Sequence, residues 1–309
     1  TGAITLAAST TYEVQLDGGA WAPVGLVTSF ATASLPDGTH SLSVRAVDKL
    51  GNARMAGPIS FLVDATPPAA PGGLSKQLPD NLRQPVITWS PAVDATSGVS
   101  RYQISLDGIS QADSASPSWS PPGPLTDGRH TLSVRALDQA ENVSAPASLD
   151  FVVDITPPAA PTGLAKPSPD NEMIPSFAWN SVSDPLSGVQ EYQVRLDGGT
   201  WLSIGAVLTW RPAADLEPRT HTLEVRAVDK ATNVGQAALL EFLSDAVPPP
   251  APGGLRTESS PREPRPAFVW SASSDVGSFV KEYQVRVDKG NWAPVGSALA
   301  WTSPERLSD

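Results

Sequence analysis

Short segments in which apolar and polar residues alternate recur along the chain and predict β-strands. In residues 102–106 and 131–137 the apolar residues occupy every second position, which places them on one face of an extended strand. Asp107-Gly108 and residues 138–142 follow these segments and predict turns. Residues 85–89 and 149–153 are two further β-rich runs. Because no segment combines a 3.6-residue period with helix caps, the pattern predicts an all-β fold of short strands.

The whole pattern repeats along the chain with a step of 90 or 91 residues. Tyrosine and histidine occur only at positions that keep this step, and three tryptophans keep it as well. These residues are Tyr12, Tyr102, Tyr192 and Tyr283; His40, His130 and His221; and Trp89, Trp179 and Trp270. A repeat of about 90 residues is too long for a solenoid unit and has the size of one β-sandwich domain.

A proline-rich phrase separates the repeats. It reads VDATPPAAPGGL at 63–74, VDITPPAAPTGL at 153–164 and SDAVPPPAPGGL at 244–255. Proline fixes its own φ and favours extended backbone before it, so these joints should be stiff polyproline segments. We expect boundaries that give repeat one (1–66), repeat two (67–156), repeat three (157–247) and repeat four (248–309), joined into an extended, semi-rigid rod.

Two motifs carry a resemblance to known domains. The segment GRHTLSVRALDQAEN at 128–142, with copies at 38–52 and 219–233, resembles the F strand and F–G turn of fibronectin type III domains. It is more similar still to bacterial Ig-like repeats of large surface proteins and adhesins. The motif Asp-x-x-Ser-Gly-Val before the tyrosine, at 94–102 and 184–192, resembles the entry to strand C of the same domains.

The resemblance implies tandem Ig-like, fibronectin III-like β-sandwich domains joined by short linkers. Repeat one would then be partial and lack its N-terminal strands, and repeat four would lack strands F and G. A histidine stands near the position where fibronectin domains often carry a tyrosine on strand F, so this corner should be built differently. The fold hosts many roles, so the resemblance implies no particular activity.

Composition and charge exclude several classes of function. The net charge of −11 and the pI of about 4.7 argue against nucleic acid and anionic lipid as partners. The chain has no cysteine, which excludes disulfides and thiolate metal sites. No apolar run approaches the ~18 residues of a membrane span. Residues 1–10 lack the features of a signal peptide and the chain does not start with Met, so we expect a mature or excerpted chain.

Catalysis is not expected from this sequence. All three histidines occupy the same repeat position at the start of a strand, whereas a catalytic triad needs different groups that converge in one cleft. Asp94 and Asp107 could suggest a pair of glycosidase carboxylates, but both recur as turn residues. The sequence therefore predicts a non-enzymatic protein without a cofactor.

Calcium is the one metal that the sequence leaves open. An aspartate stands directly before the prolines of each joint, and another ends the strand that follows each histidine. These weak calcium candidates are Asp64, Asp154 and Asp245, and Asp48, Asp138 and Asp229. Calcium needs six to eight oxygen ligands, and the sequence suggests only one carboxylate at each joint.

A second group of tryptophans predicts a surface contact. Trp21, Trp201 and Trp292 follow an Asp-containing hairpin turn, and repeat two has no equivalent residue. Core positions are rarely omitted from a repeat, so these side chains should be partly exposed, where they could contact a ligand such as a sugar ring or another chain. The alternative is an apolar lid over the edge of a sheet. The remaining aromatic residues at a third repeat position, Trp119, Trp210, Trp301 and Phe30, are predicted to lie in the core.

Together these features favour a structural spacer or stalk of a bacterial cell-surface or secreted adhesin or fibre. The alternative is a set of accessory carbohydrate-binding modules of an extracellular enzyme. A weaker alternative is a fibre subunit in which another chain supplies missing strands. The expected partners are the flanking repeats of the same chain, other copies in a fibre, or polysaccharide, with an extracellular or cell-surface location and neither nucleic acid nor membrane insertion.

Overall fold

The structure, a computed structural model, describes residues 10–306, and every regular element in that range is a β-strand. The predicted all-β class is therefore confirmed. No helix long and apolar enough to cross a membrane occurs between residues 10 and 306. The chain divides into two compact units, residues 1–153 and 154–309.

Repeat one contributes a single antiparallel sheet in the order β2-β1-β3-β4. Its strands are β1 (Thr11–Leu16), β2 (Ala22–Gly25), β3 (Gly38–Val47) and β4 (Ala53–Val63). Val14 pairs with Val44, and together with Leu42 they line an open hollow of about 370 Å³. Phe30 lies at the edge of this hollow and is 44% exposed, so its predicted core position is wrong. The reason is that no second sheet covers this face among the described residues of repeat one.

Repeat two is a complete sandwich of two sheets, with orders β5-β6-β9 and β11-β10-β7-β8. Its strands are β5 (Gly72–Lys76), β6 (Ile87–Ser90), β7 (Val99–Leu106), β8 (Ile109–Ser110), β9 (Ser118–Trp119), β10 (Gly128–Asp138) and β11 (Ala147–Val153). The alternation in β10 buries Leu132, Val134 and Ala136 completely between the sheets. Trp89 meets Tyr102 edge-to-face at 5.3 Å across the core. The period-two pattern thus supplies one apolar face to each sheet, and burying those faces drives the packing.

Repeat three has the same layers in the C-terminal unit, with sheets β12-β15 and β14-β13-β16-β17. Its strands are β12 (Phe177–Ala178), β13 (Val189–Leu196), β14 (Leu202–Ser203), β15 (Thr209–Trp210), β16 (Arg219–Asp229) and β17 (Ala238–Ser244). Tyr192 pairs with Ala227, which is the register that Tyr102 and Ala136 adopt in repeat two. Successive β-sandwiches built on one register therefore form the chain, as the repeat predicted.

Repeat four contains the sheet β18-β19-β22 and the hairpin β20-β21. Its strands are β18 (Arg256–Thr257), β19 (Ala267–Val269), β20 (Tyr283–Val285), β21 (Ala293–Gly296) and β22 (Ala300–Thr302). Trp270 is buried, and with Phe268 and Trp301 it lines a groove of about 430 Å³. In repeats two and three, β10 and β16 pair with the strands that correspond to β20. Up to residue 306, no strand other than β21 pairs with β20.

Candidate functional site

The first candidate is an aspartate cluster at the joint between repeats one and two. Asp64 follows β4, Asp94 lies between β6 and β7, and Asp138 ends β10. One carboxylate oxygen of each lies within 4.8 Å of the others. Asp138 is completely buried, whereas Asp64 and Asp94 are half-buried. The cluster thus joins a residue at the start of the joint to a loop and a strand end of the following sandwich.

Hydrogen bonds fasten Asp64 to repeat two. Its Oδ2 accepts the backbone N–H of Ser97 at 3.1 Å, and its backbone oxygen accepts the side-chain amide of Asn142 at 3.1 Å. Asn142 also donates from Nδ2 to Oδ2 of Asp138 at 2.8 Å. Oδ1 of Asp138 accepts the backbone N–H groups of Ala140 and Asn142, both at 2.8 Å. The turn after β10 is therefore shaped by Asp138 and presents Asn142 to the joint.

The C-terminal unit contains an equivalent cluster of Asp154, Asp184 and Asp229. Ser187 donates its backbone N–H to Oδ2 of Asp154 at 3.1 Å, and Asn233 donates from Nδ2 to the backbone oxygen of Asp154 at 2.9 Å. Burial raises the pKa of Asp229, and the neighbouring charges of Asp154 and Asp184 raise it further. Bonds from Asn233 oppose this shift without cancelling it. A proton on Asp229 is therefore held more tightly than usual.

The clusters correct one expectation about the calcium candidates. The expectation of one carboxylate at each joint is wrong for the first two joints, because Asp94 and Asp184 join the clusters in addition to shaping their own turns. Oδ1 of Asp94 does accept the N–H groups of residues 96–98, as its expected turn role requires. The recurrence of Asp-x-x-Ser-Gly-Val at the repeat step was the signal that could have identified both residues.

Two of the sequence candidates belong to no cluster among the described residues, namely Asp48 and Asp245. Asp48 instead caps its own turn, where Oδ1 accepts the N–H of Leu50 at 2.8 Å and that of Asn52 at 2.9 Å. Oδ1 of Asp245 accepts the N–H of Val247 at 3.1 Å. The difference follows from the chain order, because a joint aspartate meets the strand-end aspartate of the repeat that follows it.

The second candidate is a histidine–aspartate pair that recurs in repeats one, two and three. Nδ1 of His40 lies 2.7 Å from Oδ2 of Asp17, and Nδ1 of His130 lies 2.8 Å from Oδ2 of Asp107. The third pair is His221 with Asp197, at 2.7 Å. Each aspartate has a positive φ of 49–52° in the turn before the second strand of a hairpin, and a glycine follows it. The same aspartate thus forms the turn and contacts the histidine.

The other ring nitrogen of each histidine is also engaged. Nε2 faces the backbone oxygen of the residue four positions earlier, which is Pro36 at 2.8 Å, Thr126 at 3.0 Å and Glu217 at 2.8 Å. Because both nitrogens are occupied and the rings are buried, none is free to act as a general base toward a nucleophile. The structure therefore assigns these histidines a positioning role.

The third candidate is the set of tryptophan turns, defined as the hairpin turns that carry Trp21, Trp201 and Trp292. Trp21 and Trp201 are half-buried, and Trp292 is 57% exposed. Arginine guanidinium groups lie over the indole rings and explain this burial. Arg45 is 4.3 Å from the ring centre of Trp21, and Arg286 is 4.6 Å from that of Trp292.

Trp201 carries the largest of these stacks. Arg226 and Arg195 lie 3.9 Å and 4.6 Å from its ring centre. Glu224 accepts from Nε of Arg195 at 2.6 Å, and the side-chain oxygen of Gln193 accepts from Nε of Arg226 at 2.9 Å. The outer face of this sheet is thus an aromatic ring within a layer of hydrogen-bonding groups. Sequence reasoning missed the arginines, which lie on β13 and β16 at the outward positions of the alternation.

Repeat two, which has no tryptophan at this position, has a polar trough on the corresponding outer face. The trough encloses about 370 Å³ and includes Gln103, Gln111, Asp113 and Arg135. Trp119 and Trp210, two of the residues predicted for the core, are half-buried in short strands of the opposite sheet. Trp210 stacks on the buried ring of Phe177 at 5.9 Å, which agrees with the core prediction for that residue.

Comparison with curated proteins finds two similar sequences from Cellulomonas fimi. The chain is 28% identical to Exoglucanase B over 238 residues, which are 72% of this chain and 21% of that enzyme. It is 27% identical to Exoglucanase A over 217 residues, which are 64% of this chain and 24% of that enzyme. The chain thus spans less than a quarter of the length of the curated relatives it matches. No family model matches the chain.

Comparison with solved structures finds fibronectin type III arrays. The FN1–FN3 domains of chicken CNTN1 superpose with a TM-score of 0.39 at 13% identity, covering 77% of this chain and 89% of that one. The central fibronectin-III array of RIM-binding protein gives a TM-score of 0.25 at 16% identity, covering 67% of this chain and 80% of that one.

Proposed function

We propose that this chain forms non-catalytic β-sandwich modules of a secreted bacterial enzyme that acts on polysaccharide. The observation that carries the proposal is the match to two exoglucanases, which extends over most of this chain but less than a quarter of each enzyme. A region shared in this way is expected to be an accessory part. The matches favour this reading over a stalk of an adhesin or a fibre subunit.

The chemistry of the described residues supports an accessory role. The histidines have both ring nitrogens engaged, and the aspartates at 94 and 107 belong to separate hydrogen-bond networks. The clusters at Asp64 and Asp154 use their carboxylates to hold loops and a joint. These groups are committed to structure, so catalysis would come from another part of the protein.

The tryptophan turns and the outer sheet faces supply a surface for polysaccharide. Aromatic side chains stack on sugar rings, and arginine, glutamine and carboxylate groups bond to hydroxyls. Trp292 is the most exposed of the three indoles, and a single arginine, Arg286, lies over its ring among the described residues. The tryptophan turns of repeats one, three and four would each provide a weak contact, and several weak contacts to one polymer strengthen binding.

Fusion to a catalytic domain tests the proposal. The chain is attached to a cellulase catalytic domain, and hydrolysis of soluble and of insoluble cellulose is compared with that of the catalytic domain alone. We expect a gain on the insoluble substrate, no change on the soluble one and no hydrolysis by the chain itself. A fusion in which Trp21, Trp201 and Trp292 are all alanine distinguishes the two sources of a gain. The gain should be lost if it comes from polysaccharide binding and kept if the chain acts only as a spacer. Hydrolysis by the isolated chain, or no gain from the fusion on insoluble cellulose, would overturn the proposal.

A further inference from the structure

We infer that His40 and His130 act in their protonated form as latches that hold the β1–β2 and β7–β8 turns against β3 and β10. Through this latch, pH controls how tightly those turns are held. In repeat one the turn carries Trp21, so the latch also controls the placement of a tryptophan turn. The latch is independent of the proposed function, because it rests only on the geometry around the rings.

The geometry requires two ring protons. A neutral imidazole has one N–H and one acceptor nitrogen, whereas the imidazolium has two N–H groups. Each ring faces two acceptors, a carboxylate oxygen on Nδ1 and a backbone oxygen on Nε2. Only the cation can donate to both at once. Loss of the proton from His40 or His130 therefore breaks one of its two bonds.

Among the described residues, neither histidine–aspartate pair has a second cationic partner. Phe61 on β4 lies 5.8 Å from the ring of His40, and Phe151 on β11 lies 5.5 Å from that of His130. On the turn side, the charged groups are Asp17 and Asp107, which also accept the N–H groups of Ser41 and Thr131 through Oδ1. Asp37, just before β3, is engaged with the N–H of Ala65 and the hydroxyl of Thr66, and Asp150 on β11 accepts the hydroxyl of Thr131.

These neighbours determine the direction of the pH dependence. The bond to Asp17 raises the pKa of His40, with further support from the backbone oxygen of Pro36. Burial lowers the pKa of His130, but its bonds to Asp107 and Thr126 outweigh burial and the net shift is upward. A histidine whose folded pKa is raised stabilises the fold fully below its ordinary value of about 6.5, and this contribution disappears as pH rises through the folded pKa. The latch is therefore closed in mild acid and opens toward alkaline pH.

Protonation of Asp17 and Asp107 sets the lower limit of the pH range in which the latch is closed. The bond from His40 lowers the pKa of Asp17, and its bond from Ser41 lowers it further. Burial raises the pKa of Asp107, but the bonds from His130 and Thr131 bring it below the ordinary value. A carboxylate with a lowered pKa contributes stability above its ordinary value of about 3.8, and this is lost as pH falls through the folded pKa. Both partners are charged between about pH 4 and pH 6.5.

Repeat three provides an internal comparison. Nη2 of Arg219 lies 2.7 Å from Oδ2 of Asp197, the same oxygen that faces His221. The ring of His221 stacks on Phe242 at 5.6 Å, where the other two histidines make tilted contacts with their phenylalanines. Because a guanidinium stays charged at all relevant pH values, Asp197 keeps a cationic partner throughout that range. The turn that carries Trp201 should therefore be held at a pH where the turn of Trp21 is released.

Two measurements on the full chain test the latch. The first is a long-range ¹H–¹⁵N NMR titration of the histidines, assigned with H40Q, H130Q and H221Q. At about pH 6 both nitrogens of His40 and His130 should be protonated, with midpoints above the ordinary 6.5, and D17N and D107N should lower the midpoint of their own partner. A single protonated nitrogen at that pH, or midpoints at or below 6.5, would overturn the proposal.

The second measurement is hydrogen exchange in the turns at residues 17–21 and 197–201, corrected for the intrinsic dependence of exchange on pH. Protection in the first turn should fall as pH passes the His40 midpoint, by about tenfold for each unit by which folding raises the histidine pKa. Protection in the second turn should stay constant. R219A should make the second turn depend on pH, and this variant keeps the test decisive if D17N does not fold. Equal pH dependence of the two turns in the parent chain, or no effect of R219A, would contradict the latch.

Discussion

The side-chain amide of Asn142 donates to the backbone oxygen of Asp64 at 3.1 Å, across 78 residues of chain. The same amide bonds to Oδ2 of the buried Asp138. Asn233 repeats both contacts, with Asp154 at 2.9 Å and Asp229 at 2.8 Å. In each of the two repeats, one asparagine therefore connects the turn after β10 or β16 to the joint that precedes the sandwich.

Replacing Asn142 by alanine should destabilise residues 1–153. The substitution removes a bond to a completely buried carboxylate and leaves one oxygen of Asp138 without its donor, which typically costs about 1–3 kcal/mol. Urea unfolding followed by circular dichroism measures the loss.

Asn52→Ala is the matched control. Asn52 makes the equivalent bond to Asp48 at 2.9 Å, but this pair is exposed and contacts no joint. We expect a loss of less than about 1 kcal/mol there, because exposed hydrogen bonds contribute less. Equal losses of unfolding free energy in the two variants would show that the contact with the joint adds nothing to stability.

The sequence predicts the fold well because each strand can be identified from the alternation of apolar and polar residues within it. Residues 102–106 and 131–137 alternate strictly, and the structure places both within strands of one sheet, β7 and β10. The repeat then extends that assignment to β13 and β16 without new evidence. Such patterns depend on residues two positions apart, so no tertiary information is needed.

The candidate sites were harder to predict because they combine distant segments. Asp64, Asp94 and Asp138 come from a joint, a loop and the end of a strand, and only the closed sandwich brings them together. Phe30 is predicted for the core because it shares a repeat position with three tryptophans, but its burial depends on a sheet that the described part of repeat one does not contain. Arg219 pairs with Asp197, but the two residues lie 22 positions apart and no local pattern links them.

Asp229 should titrate above the ordinary aspartate value of 3.8. Burial is the main cause, and the charges of Asp154 and Asp184 add to it. A carboxyl group whose folded pKa is raised favours the folded state when protonated, so its contribution to stability decreases as pH rises from about 3.8 through the folded pKa. Carboxyl ¹³C shifts measure the midpoint directly.

Asp184→Asn is the variant that checks the cause of this shift. It removes one neighbouring charge while the amide oxygen can still accept the backbone N–H groups of residues 186–188. The midpoint of Asp229 should fall toward the ordinary value but stay above it, because burial remains. An unchanged midpoint would exclude electrostatic coupling within this cluster.

Calcium binding at the joints stays a prediction, and the carboxyl ¹³C resonance of Asp229 also tests it. A calcium ion bound by Asp154, Asp184 and Asp229 would favour their charged forms and displace the proton. Saturating calcium would then lower the Asp229 midpoint, raise the melting temperature and release heat in calorimetric titration. D184N would weaken all three responses. No heat and no rise in melting temperature would rule out calcium binding, and the clusters would then be held by their hydrogen bonds alone.

The two kinds of tryptophan should respond differently to truncation. Trp179 is buried against Tyr192 at 5.8 Å, so Trp179→Ala should cost about 3–5 kcal/mol through lost packing and a cavity. Trp201 is half-buried under Arg195 and Arg226, so Trp201→Ala should cost only about 1–2 kcal/mol through the lost stacking. Urea unfolding of both variants gives the comparison, and binding to insoluble cellulose is measured on the same samples. Because Trp201 lies on the outer face, its variant should lose binding while remaining folded. A loss of stability as large as that of Trp179→Ala would instead identify Trp201 as an apolar lid over the sheet edge.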